Sequence, residues 1–210
     1  MVLKGQFLER STLIPVGREV MEGVAHRGDE RPPLLVLPPR PEEGGGMDHV
    51  IGAELAFAAA SAGHPTLRFN YRGVGGSQGE RGSGDALLQD AEAALDVVLE
   101  NAQAPTAAVA ALHGSARVVL ELRARRPQIA GLCLVSPRGV SARELAGLGR
   151  ELLVVVGELD STLSRAELAE AVDAAGGVLQ VVEGAGANFH HALPLVGKAV
   201  RTWLKMLSGK

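Results

Sequence analysis

One cysteine, Cys133, stands in a chain of 210 residues. A disulfide within the chain is excluded, and so is a zinc site built on several thiolates. Aromatic residues make up only 3%, which argues against base-stacking platforms and aromatic-lined sugar sites. There is no basic excess: Lys and Arg total 21 against 24 Asp and Glu, for a formal net charge of −3. Nothing in that balance draws in nucleic-acid phosphates or an anionic membrane surface. No apolar run reaches the ~20 residues that a membrane-spanning helix needs. The opening string MVLKGQFLER lacks the apolar stretch of a signal peptide. What is present is 46% hydrophobic residues, enough to build a core without covalent staples. The expectation is a cytoplasmic protein with a single domain over residues 1–210, without cofactor, metal, nucleic-acid or membrane partner.

Glycine and proline cut the chain into segments whose apolar patterns alternate. Residues 7–26 read as two short strands joined at Val16, Gly17 and Arg18, a hairpin. Apolar runs predict strands over 32–39, 65–73, 107–114, 129–137, 151–160 and 178–186. Helices are predicted over 48–63, with Asp48 as N-cap and Gly63 at the C-terminal end. Further helices follow over 85–102, 116–127, 141–149, 164–176 and 191–207. In the 85–102 segment Leu87, Leu88, Ala91, Ala94, Leu95 and Val98 form one helical stripe. The strands are apolar on both faces, as central strands covered by helices must be. The pattern predicts an α/β fold with a doubly wound, mostly parallel sheet flanked by helices and a leading antiparallel hairpin. Sites in such sheets lie at the carboxyl ends of the strands.

One of those strand ends is distinctive. Residues 67–95, LRFNYRGVGGSQGERGSGDALLQDAEAAL, resemble the small lidless α/β-hydrolases, in which a strand runs into an RFN-[FY]-RG-x-G-x-S-x-G loop before a helix. Residues 39–63 are similar to that family's HPHP-x-x-GG-x-MD segment and the helix after it. Residues 125–137 resemble the strand after the nucleophile helix, 152–164 the acid-bearing turn, and 181–204 the histidine-bearing segment GAxHFFxGxL. The order holds along nearly the whole chain. The resemblance implies a minimal α/β-hydrolase fold without a lid domain. For the family it implies a serine on a strained strand-to-helix elbow, a histidine base, a carboxylate that orients it, and two backbone N–H groups forming an oxyanion hole.

Position by position, only the acid carries over. The family spacing from Pro127 back to the elbow places His113 at the nucleophile position, within Ala111-Leu112-His113-Gly114-Ser115. A register slip would instead put Ser115 at the apex, with Arg117 at the second elbow glycine. Asp160 matches the acid, although aspartate is also favoured as a turn or cap residue there. The base position falls on Ala187. His190 and His191 follow it, and His190 reaches the site only through a rearranged loop, since its displacement is about 10 Å in extended chain. The family's HPHP segment reads Pro38-Pro39-Arg40-Pro41. The prolines have no N–H to donate, which leaves Arg40, the Gly44 to Gly46 run, and Gly114 after the nucleophile position.

These changes favour a protein that kept the scaffold and lost ester hydrolysis, with a binding, regulatory or scaffold role toward a small-molecule ligand or protein partner. The alternative is a carboxylesterase-like serine hydrolase with Ser115 as nucleophile, His113 or His190 as base and Asp160 as orienter. A third class uses His113, Asp160, His190 and His191 as metal ligands, but adjacent histidines and the lack of helical ligand spacing disfavour it. The glycine-rich stretch from Arg72 to Gly79 follows a strand as phosphate loops do. It lacks a Lys-Ser/Thr ending and reads as scaffold, with Arg72 and Asp85 as structural partners. Arg117, Arg123, Arg125 and Arg126 read as a solvated helix face. On the last helix Leu193, Val196, Val200, Leu204 and Leu207 read as a core stripe, which Leu195, Trp203 and Met206 broaden toward a homodimer surface.

Overall fold

Gly17, in the left-handed conformation at φ 61°, turns the chain between strands β1 (Arg10–Val16) and β2 (Glu19–His26), the expected hairpin. The computed structural model describes residues 7–162 and 164–209. Residues 1–6 of the opening string, Leu163 of the acid-bearing segment, and Lys210 lie outside them.

After the hairpin come β3 (Leu34–Leu37), α1 (Val50–Ser61), β4 (Thr66–Phe69), α2 (Asp85–Ala102), β5 (Ala107–Leu112) and α3 (Ser115–Arg125). The chain continues through β6 (Ile129–Val135), α4 (Ala142–Ala146), β7 (Leu152–Gly157), α5 (Arg165–Ala175), β8 (Val178–Val182) and α6 (Leu193–Ser208). One sheet runs in the order β1-β2-β4-β3-β5-β6-β7-β8. The first pairings, β1 with β2 and β2 with β4, are antiparallel; from β4 to β8 every pairing is parallel. This is the doubly wound α/β sheet that the alternating segments predict.

Strand alternation divides the core in two. Leu35 and Leu37 of β3 and Val109 of β5 pack in one cluster with Leu88 and Leu95 of α2, Leu122 of α3 and Leu168 of α5. Leu34, Val36 and Ala110 turn to the other face, among Ile51 and Leu55 of α1 and Val196, Val200 and Leu204 of α6. Each fully buried aliphatic side chain contributes about 1.5–3 kcal/mol relative to exposure. That is why four-residue strands suffice when both faces are covered.

Several boundaries move for identifiable reasons. The first helix begins at Val50 with His49, not Asp48, at its N-cap, and without a side-chain cap. Asp48 instead accepts from the Arg68 guanidinium at 2.9 Å. Arg68 is buried, and its charge also takes Glu9 at 2.5 Å. The helix after β5 starts at Ser115 and stops at Arg125. Arg126 is already extended at φ −122° and ψ 98°, as the residue before a proline must be to clear its ring. Trp203, expected on an outward surface, is 1% exposed and donates its indole N–H to the Glu151 carbonyl at 3.0 Å. Its volume is needed in the α6 core, whereas Leu195 and Met206 remain exposed. No helix among the described residues is long and apolar enough to cross a membrane.

Candidate functional site at the β5 elbow

The fully buried run of β5 delivers the chain to His113 at the carboxyl edge of the sheet. His113 adopts φ +50°, a left-handed conformation that non-glycine residues seldom accept and that marks a constrained turn. Gly114 is the N-cap of α3 and Ser115 its first residue. The turn is held from both sides: His113 N–H donates to the Val135 carbonyl at 3.1 Å, and its own carbonyl accepts from Arg138 N–H at 3.0 Å. The backbone between β5 and α3 therefore turns at His113.

The His113 ring is 4% exposed. Its Nδ1 lies 3.4 Å from the Ser136 carbonyl oxygen, and the ring stands edge-on to His49 with centroids 5.6 Å apart. Burial holds its pKa below the ordinary histidine value, and the Arg138 charge pushes the same way, against the opposing pull of the Ser136 carbonyl, Glu43 and Asp160. His49 is lowered as well, by burial and by His113. The pair is thus set to be neutral near pH 7.

Ser115 has no exposure. Its hydroxyl donates to the Pro38 carbonyl at 2.6 Å and lies 3.0 Å from the Tyr71 hydroxyl. Since the Ser115 proton goes to Pro38, Tyr71 is the donor in the second bond. Burial raises the Tyr71 pKa, which keeps it protonated for that task.

Asp160 follows β7 and is half-buried. Its Oδ1 accepts from Thr162 N–H at 3.1 Å and from the Thr162 hydroxyl, a local turn of the kind aspartate favours. Burial works to raise its pKa, but the bonds from Thr162 and Ser136 and the Arg138 charge outweigh it, so the carboxylate lies below its ordinary value. The hydroxyl oxygen of Ser136, buried at φ +44°, also lies 3.3 Å from the Ala187 carbonyl oxygen, which competes with Asp160 for the hydroxyl's one proton. Beyond Ala187 the loop is anchored by Phe189, fully buried at φ +52°. His190 and His191 are exposed, and their rings make no hydrogen bond among the described residues.

The segment around Arg40 and Gly114 holds a group absent from the sequence reading. Glu43 Oε2 accepts from Arg40 N–H and from Gly114 N–H, each at 3.1 Å. Its other oxygen lies 3.7 Å from the Arg138 guanidinium. Gly44 and Gly45 N–H are committed to the Pro41 and Arg40 carbonyls. Glu43, Ser136, Arg138 and His49 are the residues sequence reasoning missed. For Glu43 a signal existed: it stands at the N3 position of the turn Pro41–Glu43, from which a glutamate returns to the N-cap amide.

The glycine-rich loop is stitched to β2. Gly76 N–H donates to Glu22 Oε1 at 2.6 Å, as does the Asn70 side chain, and Gln78 N–H donates to the Val20 carbonyl. A Cβ on Gly75 would meet Asn70 Nδ2 and Glu22 Oε1 at 2.5 Å. The Gly76 and Gln78 amides are thereby occupied. This loop also contains a G-x-S-x-G string, Gly75 to Gly79, away from the elbow. Its Ser77 is buried and donates to the Asn70 carbonyl at 2.8 Å. Arg72 pairs with buried Asp90 at 2.5 Å and with Glu19, not with Asp85, which is exposed and faces Arg125 at 3.6 Å. Among the described residues no group of three or more His, Cys, Asp or Glu side chains is placed to hold a metal ion.

No family model matches the chain. An uncharacterized protein of Rickettsia prowazekii is 35% identical over 107 residues, a match that takes in 50% of this chain and 45% of that protein. It therefore spans less than half of that relative's length. Among solved structures, a protein of unknown function from Agrobacterium tumefaciens, described as a candidate alpha/beta hydrolase, superimposes with a TM-score of 0.79 at 27% identity, covering 96% of this chain and 97% of that one. An alpha-beta serine hydrolase homologue from Coxiella burnetii gives 0.78 at 25% identity, covering 92% and 96%. A serine hydrolase without a lid from Xanthomonas campestris gives 0.76 at 20% identity, covering 96% of each chain. The topology and these likenesses together place the chain in the α/β-hydrolase superfamily, in its minimal form without a lid.

Proposed function

We propose that this chain is a pseudo-hydrolase: it keeps the α/β-hydrolase scaffold, does not hydrolyse esters, and acts by binding a small molecule or protein partner at the elbow end of the sheet. The observation that carries this is the pair of neighbours at the elbow. The strained apex holds an imidazole at His113, while the nearby hydroxyl, Ser115, faces inward and is spent on Pro38 and Tyr71. A serine nucleophile needs an exposed Oγ and a base within about 3 Å. Ser115 has neither exposure nor an imidazole among its hydrogen-bond partners. The family resemblance puts the base at the position that is Ala187 here, a residue with no titratable group.

The test is hydrolysis of p-nitrophenyl acetate and butyrate by purified protein, beside the His113→Ala and Ser115→Ala variants. All three are expected at the no-protein background. A rate present in the unaltered protein and lost in Ser115→Ala would overturn the proposal in favour of a rearranged esterase.

A further inference from the structure

Two backbone N–H groups from separate elements, Arg40 after β3 and Gly114 at the head of α3, converge on one oxygen atom, and that atom belongs to the chain itself. We infer that Glu43 is an internal plug: its carboxylate sits in the cradle where an ester-cleaving member of this fold would hold its developing oxyanion. The inference deepens the proposed function and rests on the same placement of His113 at the elbow apex.

Three features argue that the carboxylate is built into this position. First, the field favours it. The start of an 11-residue helix presents a partial positive charge, and Arg138 and Arg40 lie 3.7 and 3.9 Å from its oxygens. Second, the side chain is held. Glu43 N–H donates to the Arg40 carbonyl at 2.9 Å, buried Pro41 begins the turn, and Gly44 closes it at φ 73°. The Glu43 side chain is only 17% exposed, although it ends in a charge. Third, the space over the Gly114 amide is full. A Cβ added there would lie 2.4 Å from Arg40 Nε and 2.7 Å from Glu43 Oε2.

The consequence is chemical. A carbonyl oxygen entering the cradle finds both donors engaged in charge-assisted bonds. A charge growing on it would face a fixed carboxylate. The elbow is closed to acyl chemistry by this contact as well as by the loss of its nucleophile. With the Glu43 side chain removed, the same donors and guanidinium groups make a receptor for a small carboxylate.

The experiment is chemical rescue of Glu43→Ala by sodium formate, with sodium chloride at equal ionic strength as control. The expected result is a melting temperature that falls in the variant and rises again with formate by about 2–4 °C, with no such rise in the unaltered protein. In ¹⁵N-resolved NMR the Gly114 and Arg40 amides of the variant should titrate saturably with formate. If Glu43→Ala does not fold, Glu43→Gln keeps the shape and neutralises the charge, and the Gly114 amide resonance should move relative to the unaltered protein. A formate-independent Glu43→Ala, or a Gly114 amide that ignores Glu43→Gln, overturns the plug. Ester hydrolysis assayed on the same unaltered protein tests the proposed function separately. A Ser115-dependent rate would sink that proposal whatever formate does.

Discussion

The Ser115 hydroxyl donates to the Pro38 carbonyl oxygen across 2.6 Å, tying the first turn of α3 to the chain leaving β3. Both groups are buried, and Tyr71 completes the set from the end of β4. A residue that sequence alone offers as a spare nucleophile is thus a structural fastener between three segments.

Ser115→Ala should therefore act on stability. It leaves the Pro38 carbonyl and the Tyr71 hydroxyl without this partner inside the protein, at a cost of about 1–3 kcal/mol. Urea unfolding checks this: the midpoint should fall with little change in slope. An unchanged midpoint would show that water replaces the hydroxyl freely.

Rebuilding the family's triad should fail while Glu43 stays in place. The variant with His113→Ser, Ser115→Gly and Ala187→His restores the residue types of nucleophile, elbow glycine and base, yet both hole donors remain bound to Glu43. It is expected at background with p-nitrophenyl acetate. Adding Glu43→Ala should raise the rate above background, because a single oxyanion donor is worth about 2.7–4 kcal/mol of barrier. Equal activity with and without Glu43 would count against the plug.

Arg72 and Asp90 form a buried pair, with side-chain exposures of 18% and 2% and an N–O distance of 2.5 Å. Burial pushes the Asp90 pKa up, against the Arg72 bonds that hold it down. Removing Asp90 takes a backbone and a guanidinium bond from Arg72, which keeps Glu19 at 3.2 Å, so Asp90→Ala should cost about 1.5–3 kcal/mol. Asp85→Ala, at an exposed carboxylate on the same helix, should stay within about 0.5 kcal/mol. Thermal or urea unfolding of the two variants side by side checks the contrast.

Stability should fall on mild acidification. Burial lowers the pKa of His26, His64 and His113, each at most 5% exposed. Lowered histidines are neutral in the fold, so their contribution is complete above the unfolded value of about 6.5. It is lost as pH falls through that value toward the folded one. The limiting slope is about 1.4 kcal/mol per pH unit for each histidine, reduced where water still reaches the ring. Melting temperatures between pH 8 and pH 5 should decline below pH 6.5, and His64→Gln should flatten part of the decline. A flat profile would mean these rings keep their ordinary pKa values.

Much of the architecture was legible before any coordinate. The 85–102 stripe became α2 over the same residues, and the runs apolar on both faces became the central strands, because periodicity and two-sided burial are local signals. Asp48 was misread because its partner, Arg68, reaches it from β4. Trp203 was misread because a helix face declares its apolar residues but not how far the neighbouring sheet extends over them. Arg72 was placed as structural, but its partner is Asp90. A helix carries several carboxylates, and only docking shows which one meets the loop.

The sequence by itself determined the order and type of the elements and the two-sided core, since these follow from short-range pattern and spacing. Only the tertiary structure decided what the polar groups at the elbow do. Ser115 turns inward because Pro38 and Tyr71 wait there, and Glu43 occupies the cradle because two N–H groups far apart in the chain meet at one carboxylate oxygen. A hydrogen bond reports the distance between two atoms in space, and sequence separation carries almost none of that information until the sheet has closed around it.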